Sequence, residues 1–239
     1  MRGIGVIRVI ALLAAVLAVP AGLRASDQAD CSSRSVLEMD PVRYVTACMN
    51  LAGQGFDEAQ FNLGLIYDTG RGVPRDYNEA LEWYLPAAEA GFVPAQFNLG
   101  NMYYYGWGVA QDHAQAAYWH RIAAENGHAW SQHNLAWMYL NGEGVPRNTQ
   151  EAVRLYRSAA DQGFALSQND LGYLYATGRA VEQNYVSALM WYDLAAAQGD
   201  PRALNNIAYM KERMSTQQVS RAEQLAEAFQ PVSQFTLQE

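Results

Sequence analysis

Apolar positions recur along this chain on two scales, four residues within a stretch and 36 residues between stretches. Ala59, Leu63 and Tyr67 fall on one face of a helix. The same slots return as Ala95, Leu99 and Tyr103, and then as Ser131, Leu135 and Tyr139. Around them the longer segments repeat: NLGLIYDTGRGVPRD from Asn62, NLGNMYYYGWGVAQD from Asn98, NLAWMYLNGEGVPRN from Asn134 and DLGYLYATGRAVEQN from Asp170. The pattern predicts two helices per unit and an all-α fold, an α-solenoid of helix-turn-helix hairpins with a 36-residue period.

The punctuation agrees. Glycine pairs Gly70/Gly72, Gly106/Gly108 and Gly142/Gly144 suit left-handed turns after the first helix; Ala180 replaces the second glycine in unit four and predicts a tighter or strained turn. Asp76, Asp112, Asn148 and Asn184 are N-caps for the second helix, with Glu79, Gln115 and Glu151 placed to complete capping boxes and Ser187 breaking the pattern. Small residues at Gly64/Ala80, Gly100/Ala116, Ala136/Ala152 and Gly172/Ala188 let the paired helices approach. Trp83, Trp119, Leu155 and Trp191 supply an apolar face that one hairpin cannot bury alone. Asn62, Asn98, Asn134, Asp170 and Asn206 share one slot and predict a repeated hydrogen bond between helices.

These residues follow A-x-x-x-L-G-x-x-Y-x-x-G-x-G-V-P-x-D-x-x-x-A-x-x-W-Y-x-x-A-A, a pattern that resembles the Sel-1-like repeat, a relative of the tetratricopeptide repeat with a longer turn. Ala110 and Glu182, standing for the turn proline, are local departures. The resemblance implies a scaffold or adaptor for other proteins. The predicted organisation is a signal peptide at 1–25, an N-terminal cap with a partial repeat helix at 26–54, and repeats at 55–90, 91–126, 127–162 and 163–198. A degenerate repeat and capping helix follow at 199–230, then a flexible tail at 231–239.

The leader reading rests on Arg2 and Arg8, an apolar run from Val9 to Val19, and small-residue cleavage sites ending at Ala25 or Ala21. The rival, an uncleaved anchor, needs about 20 apolar residues. Export to the periplasm or beyond is the expectation, with no stable membrane insertion after cleavage. Removing residues 1–25 takes away three arginines and no acid, moving the net charge from −8 to −11, which argues against nucleic acid as a partner. In that compartment Cys31 and Cys48 pair as a disulfide, the alternative being two separate buried thiols.

The stretch NMYYYGWGVAQD (101–112) divides in two. Tyr103 holds the repeat's core slot. Tyr104, Tyr105 and Trp107 align with Asp68, Thr69 and Arg71 and so face outward or line a surface. In tetratricopeptide-like stacks the first helices line a concave groove. Carried onto this chain, the groove positions are Phe97, Asn101, Tyr104 and Tyr105, then Trp130, His133 and Trp137, then Asn169 and Tyr173, then Arg202, Asn205 and Tyr209. Aromatics interleaved with amides suit recognition of a protein or peptide segment. For Phe61 and Phe97, packing between units is an equal reading.

The four histidines, His113, His120, His128 and His133, lack metal-ligand spacing, so no metal and no cofactor are expected. Some Sel-1-like repeat proteins have been considered β-lactamase-like, but the residue three before the single lysine, Lys211, is Ala208 and not serine. Neither a Gly-x-Ser-x-Gly elbow nor a phosphate loop occurs. The expectation is a non-catalytic adaptor for an unidentified protein or peptide. The alternative is a cell-envelope module that binds or acts on peptidoglycan or another glycan through its flat aromatics.

Overall fold

The computed structural model describes residues 24–232, and every regular element among them is a helix. The proposed leader, apart from Arg24 and Ala25, and positions 233–239 of the tail lie outside the described residues. The described chain forms two compact units. The first runs to Ala95 and includes Trp107–Val109; the second comprises Gln96–Gly106 and the chain from Ala110 onward.

In the first unit, α1 (Arg24–Ser32), α2 (Arg34–Met39) and α3 (Pro41–Ala52) precede the hairpin of α4 (Asp57–Thr69) and α5 (Tyr77–Glu89). The Cys31–Cys48 bridge ties α1 to α3, and both residues are buried in the core with Tyr44, Leu51 and Leu63. Arg43 reinforces the join by a two-pronged bond to Asp30 at 2.7 and 2.9 Å. Asn62 donates to the carbonyl of Cys31 at 3.0 Å, the helix-to-helix bond expected of its slot.

The helix α6 (Val93–Tyr105) enters the second unit at Gln96. There follow α7 (His113–Glu125), α8 (Ala129–Asn141), α9 (Thr149–Asp161), α10 (Ala165–Thr177), α11 (Tyr185–Ala197), α12 (Pro201–Lys211) and α13 (Thr216–Glu227). The first and second helices of the four hairpins each have 13 residues, so the period is in the backbone as well as in the sequence. No helix among the described residues is long and apolar enough to cross a membrane.

One hydrogen bond closes every hairpin: the N–H of the N-cap residue donates to the carbonyl of the core tyrosine, Asp76 to Tyr67, Asp112 to Tyr103, Asn148 to Tyr139 and Asn184 to Tyr175, each at 2.9 Å. The turn between requires left-handed backbone. At Gly144 (φ 66°) a Cβ would meet the carbonyl oxygen of His113 at 2.0 Å, so glycine is needed there for space as well as conformation. Ala180 keeps the same conformation at φ 72°, which makes its turn strained and not tighter. The N-caps act as expected, but the capping boxes at Glu79, Gln115 and Glu151 do not. Among the described residues the reciprocal pair is complete at Ser215–Gln218, while Glu151 gives its carboxylate to Arg154.

Hairpin packing is set by a ring over a small residue. A Cβ at Gly64 would stand 2.4 Å from the Tyr84 ring, and one at Gly172 would stand 2.8 Å from Tyr192. In the second unit a glutamine ladder joins successive hairpins. Gln132 donates to Ala124 O and Gln168 to Ala160 O, each at 3.1 Å; Gln162 and Gln198 then donate to the Gln132 and Gln168 side chains at 2.8 and 2.7 Å. The glutamine slot repeats every 36 residues along the chain, as Gln60, Gln96, Gln132 and Gln168. Phe229 closes the end, edge-on to Trp191 at 5.5 Å.

Candidate functional site

The second unit holds a cavity of about 220 Å³ lined by Asn101, Tyr104, Tyr105, His120, His133, Asn134, Trp137 and Met138. Its walls come from α6, α7 and α8. Asn101 and Tyr105 project from α6 one turn apart, and Asn134, Trp137 and Met138 line the cavity from α8. The two amides meet across the helices, Asn134 Nδ2 donating to Asn101 Oδ1 at 3.4 Å.

Tyr104 is the best-anchored ring. It is half-buried against the core, donates its hydroxyl to Glu143 Oε2 at 2.8 Å, and meets Tyr105 and Trp137 edge-on at 4.9 and 6.4 Å. Burial, together with the bond to Glu143, pushes its phenol up to about 12. His113 Nδ1 stands 3.6 Å from the same carboxylate oxygen. Trp107, in the first unit, stacks on Tyr77 with centroids 5.7 Å apart.

His120 forms the cavity's back wall. It occupies the slot of Tyr84, Tyr156 and Tyr192, lies over Gly100 and is 1% exposed. Its Nδ1 is buried without a hydrogen-bond partner, and burial lowers its pKa to about 3. His133 Nδ1 contacts Ser167 Oγ at 3.0 Å and lies 4.0 Å from Asp170 Oδ2; burial, with the nearby Arg202, lowers its pKa to about 4. Serine, histidine and aspartate therefore do converge, which spacing alone did not reveal. They do not form a catalytic relay. Serine and carboxylate approach the same ring nitrogen, whereas a relay uses opposite ones, and Ser167 is fully buried. Among the described residues no three His, Cys, Asp or Glu side chains are placed to hold a metal.

The remaining sequence-derived positions fall into two groups. Tyr105, Trp130, Trp137, Tyr173 and Tyr209 lie on the first helices of successive hairpins and are between 39 and 56% exposed. Arg202 and Asn205 are exposed near them on α12, with Arg202 paired to Asp200 at 2.7 Å and 3.6 Å from Asp170. The other group is inward. Asn169 is 5% exposed and accepts from Asn206 at 3.0 Å. Phe97 is half-buried between His128 and Trp130, at 4.8 and 6.3 Å, and Phe61 packs on Phe92 at 5.1 Å, so both phenylalanines are packing rings.

The family described as Sel1 repeat matches four stretches, residues 57–92, 93–128, 131–164 and 165–200. Among solved structures the chain is similar to a protective antigen of uropathogenic Escherichia coli strains that displays an SLR fold. Identity is 31% with a TM-score of 0.72, over 84% of this chain and 46% of that one. The chain thus spans about half the length of that antigen. It is also similar to a Sel1 repeat protein from Oxalobacter formigenes, at 28% identity and a TM-score of 0.72 over 86% of each chain. No curated protein matches the sequence. Sel1-repeat proteins are generally non-catalytic scaffolds for protein interaction.

Proposed function

This chain belongs to the Sel1-repeat family, and from that premise we propose that it is an exported, non-catalytic adaptor that binds a protein segment along the first helices of its second unit. The observation that supports this reading is the run of exposed aromatics, Tyr105, Trp130, Trp137, Tyr173 and Tyr209, on four successive first helices. Large rings left half in water at repeating positions are apolar area available to a partner, and interface energy concentrates in such anchors. The Cys31–Cys48 bridge supports the periplasm or the exterior as the place of action, since such bonds persist in oxidising compartments.

Photoreactive residues placed at Trp137 and Tyr173 test the reading, with Tyr118 as the control: an equally exposed ring, but on the second helix α7. Crosslinks to one protein from the first two positions and not from the third are expected. In the same assay Trp137→Ala/Tyr173→Ala abolishes capture while leaving the helical signal intact. Equal crosslinking from Tyr118, or undiminished capture by the double variant, refutes the proposal. Crosslinking to murein alone would replace the protein partner with a glycan.

A further inference from the structure

The cavity walled by Tyr104, Tyr105 and Trp137 has the build of a cation site. Trp137 meets Tyr104 at 79° between ring planes and Tyr105 meets it at 82°, so the rings form walls and not a stack. Glu143 accepts the Tyr104 hydroxyl proton bond, which draws electron density into that ring and strengthens its negative face. The two histidines in the lining are neutral and bring no competing positive charge, and the chain as a whole carries −8. Among the described residues no arginine or lysine stands over Tyr104 or Trp137.

The chain fills comparable ring sites with its own arginines elsewhere. Arg157 lies over both Tyr175 and Trp191, at 5.6 and 5.1 Å from the ring centres, and donates to the Tyr175 hydroxyl. Arg213 covers Tyr209 at 3.5 Å. The cavity's size decides the scale of the occupant. At about 220 Å³ it is smaller than the roughly 300–1,000 Å³ of a pocket for a whole small molecule, and matches one long side chain.

Resting on the adaptor reading, the geometry points to this cavity as the subsite for one arginine side chain of a basic partner segment. The guanidinium lies on the faces of Trp137 and Tyr104 and donates to the amide oxygens of Asn101 and Asn134. Arginine suits the site better than lysine, because its plane stacks on rings and its weaker hydration is given up at lower cost.

The test uses the full mature chain and three blocked pentapeptides, Gly-Gly-X-Gly-Gly, with X as arginine, its neutral isostere citrulline, or norleucine. The readout is the Trp137 indole N–H signal in nitrogen-15 NMR spectra. The arginine peptide is expected to shift that signal and to bind about tenfold more tightly than the citrulline peptide, an advantage that shrinks as salt rises. Trp137→Leu, which keeps an apolar wall and removes the π face and is read through the side-chain amide signals of Asn101 and Asn134 in both proteins, should bring arginine down to the citrulline level. Equal binding of citrulline or norleucine overturns the guanidinium assignment but leaves the adaptor reading standing. Tetramethylammonium chloride binding as tightly as the arginine peptide overturns the peptide assignment in favour of a small cation. Silence of all three peptides, in a protein whose Trp137 still crosslinks its partner, overturns the subsite alone; silence with no crosslink overturns both.

Discussion

Three histidines of the second unit, His120, His128 and His133, are held neutral by burial, at about 3, about 4 and about 4, against an ordinary value of 6.5. Their depressed values fix the sign of an acid effect. Below pH 6.5 the unfolded chain takes up protons that the folded chain refuses until about pH 4. Stability present above 6.5 is therefore lost progressively through that window. At pH 5 each such histidine contributes a loss of about 2 kcal/mol, from one and a half units at about 1.36 kcal/mol per unit. His120 allows this to be isolated, because its slot holds tyrosine in the other hairpins and Gly100 leaves the ring the same room that Gly64 leaves Tyr84. His120→Tyr removes one titrating group, and the added hydroxyl reaches towards the cavity beside Tyr104. Urea unfolding followed by circular dichroism, at pH 7.5 and at pH 5 for both proteins, gives a difference of differences. Contributions from groups that do not interact with His120 cancel in it, including the half-buried carboxylates of Asp161 and Asp170, whose pKa values burial raises; His128, which does interact with His120, is the one coupling left in the difference. The variant should gain about 2 kcal/mol relative to the parent on going to pH 5. An unchanged difference would mean that His120 is protonated inside the fold, and the account of its unpartnered Nδ1 would be wrong.

Three further outcomes follow from the hairpins. Gly64→Ala forces a Cβ to within 2.4 Å of the Tyr84 ring and should cost about 1–3 kcal/mol in thermal or urea melts of the first unit. Ala180→Gly relieves a left-handed alanine at φ 72° and should stabilise by about 0.5–1 kcal/mol, the relief being larger than the entropy added to the unfolded chain. Replacing Cys31 and Cys48 together by alanine should cost about 3 kcal/mol and release α1 from α3, read as faster amide exchange across Arg24–Ser32.

The hairpins were legible because their determinants are local and repeat. A four-residue apolar step, a glycine turn and an N-cap 14 positions after the slot asparagine each act within one unit, so four copies reinforce one inference. The disulfide followed from compartment and was found between the same two cysteines. The failures are equally physical. Glu79, Gln115 and Glu151 fit a capping box by spacing, but a long carboxylate in the first turn has competitors, and Arg154 takes Glu151. The slot pattern could not tell Asn169 from Trp137, since neighbours decide it: Asn206 reaches across and consumes the Asn169 oxygen, while nothing covers the Trp137 ring to the same degree. The meeting of His133 with Ser167 and Asp170 joins α8 to α10, with α9 between them in the chain, and so leaves no local trace.

The distribution of variety within the repeat carries the functional argument. A slot that must bury a ring over a glycine, or close a turn onto a tyrosine carbonyl, admits few residues, and such slots barely change from unit to unit. The slot of Trp137 behaves differently: it holds Leu65, Asn101, Trp137, Tyr173 and Tyr209 in turn. An apolar chain, an amide and three rings satisfy no common packing requirement, and the four that are apolar or aromatic are all at least 38% exposed. The fold therefore does not dictate this position. The part of each ring left in water contributes nothing to folding, because only apolar area removed from water stabilises the fold. Such variety is what the proposed adaptor reading expects of a binding surface on an otherwise repetitive scaffold.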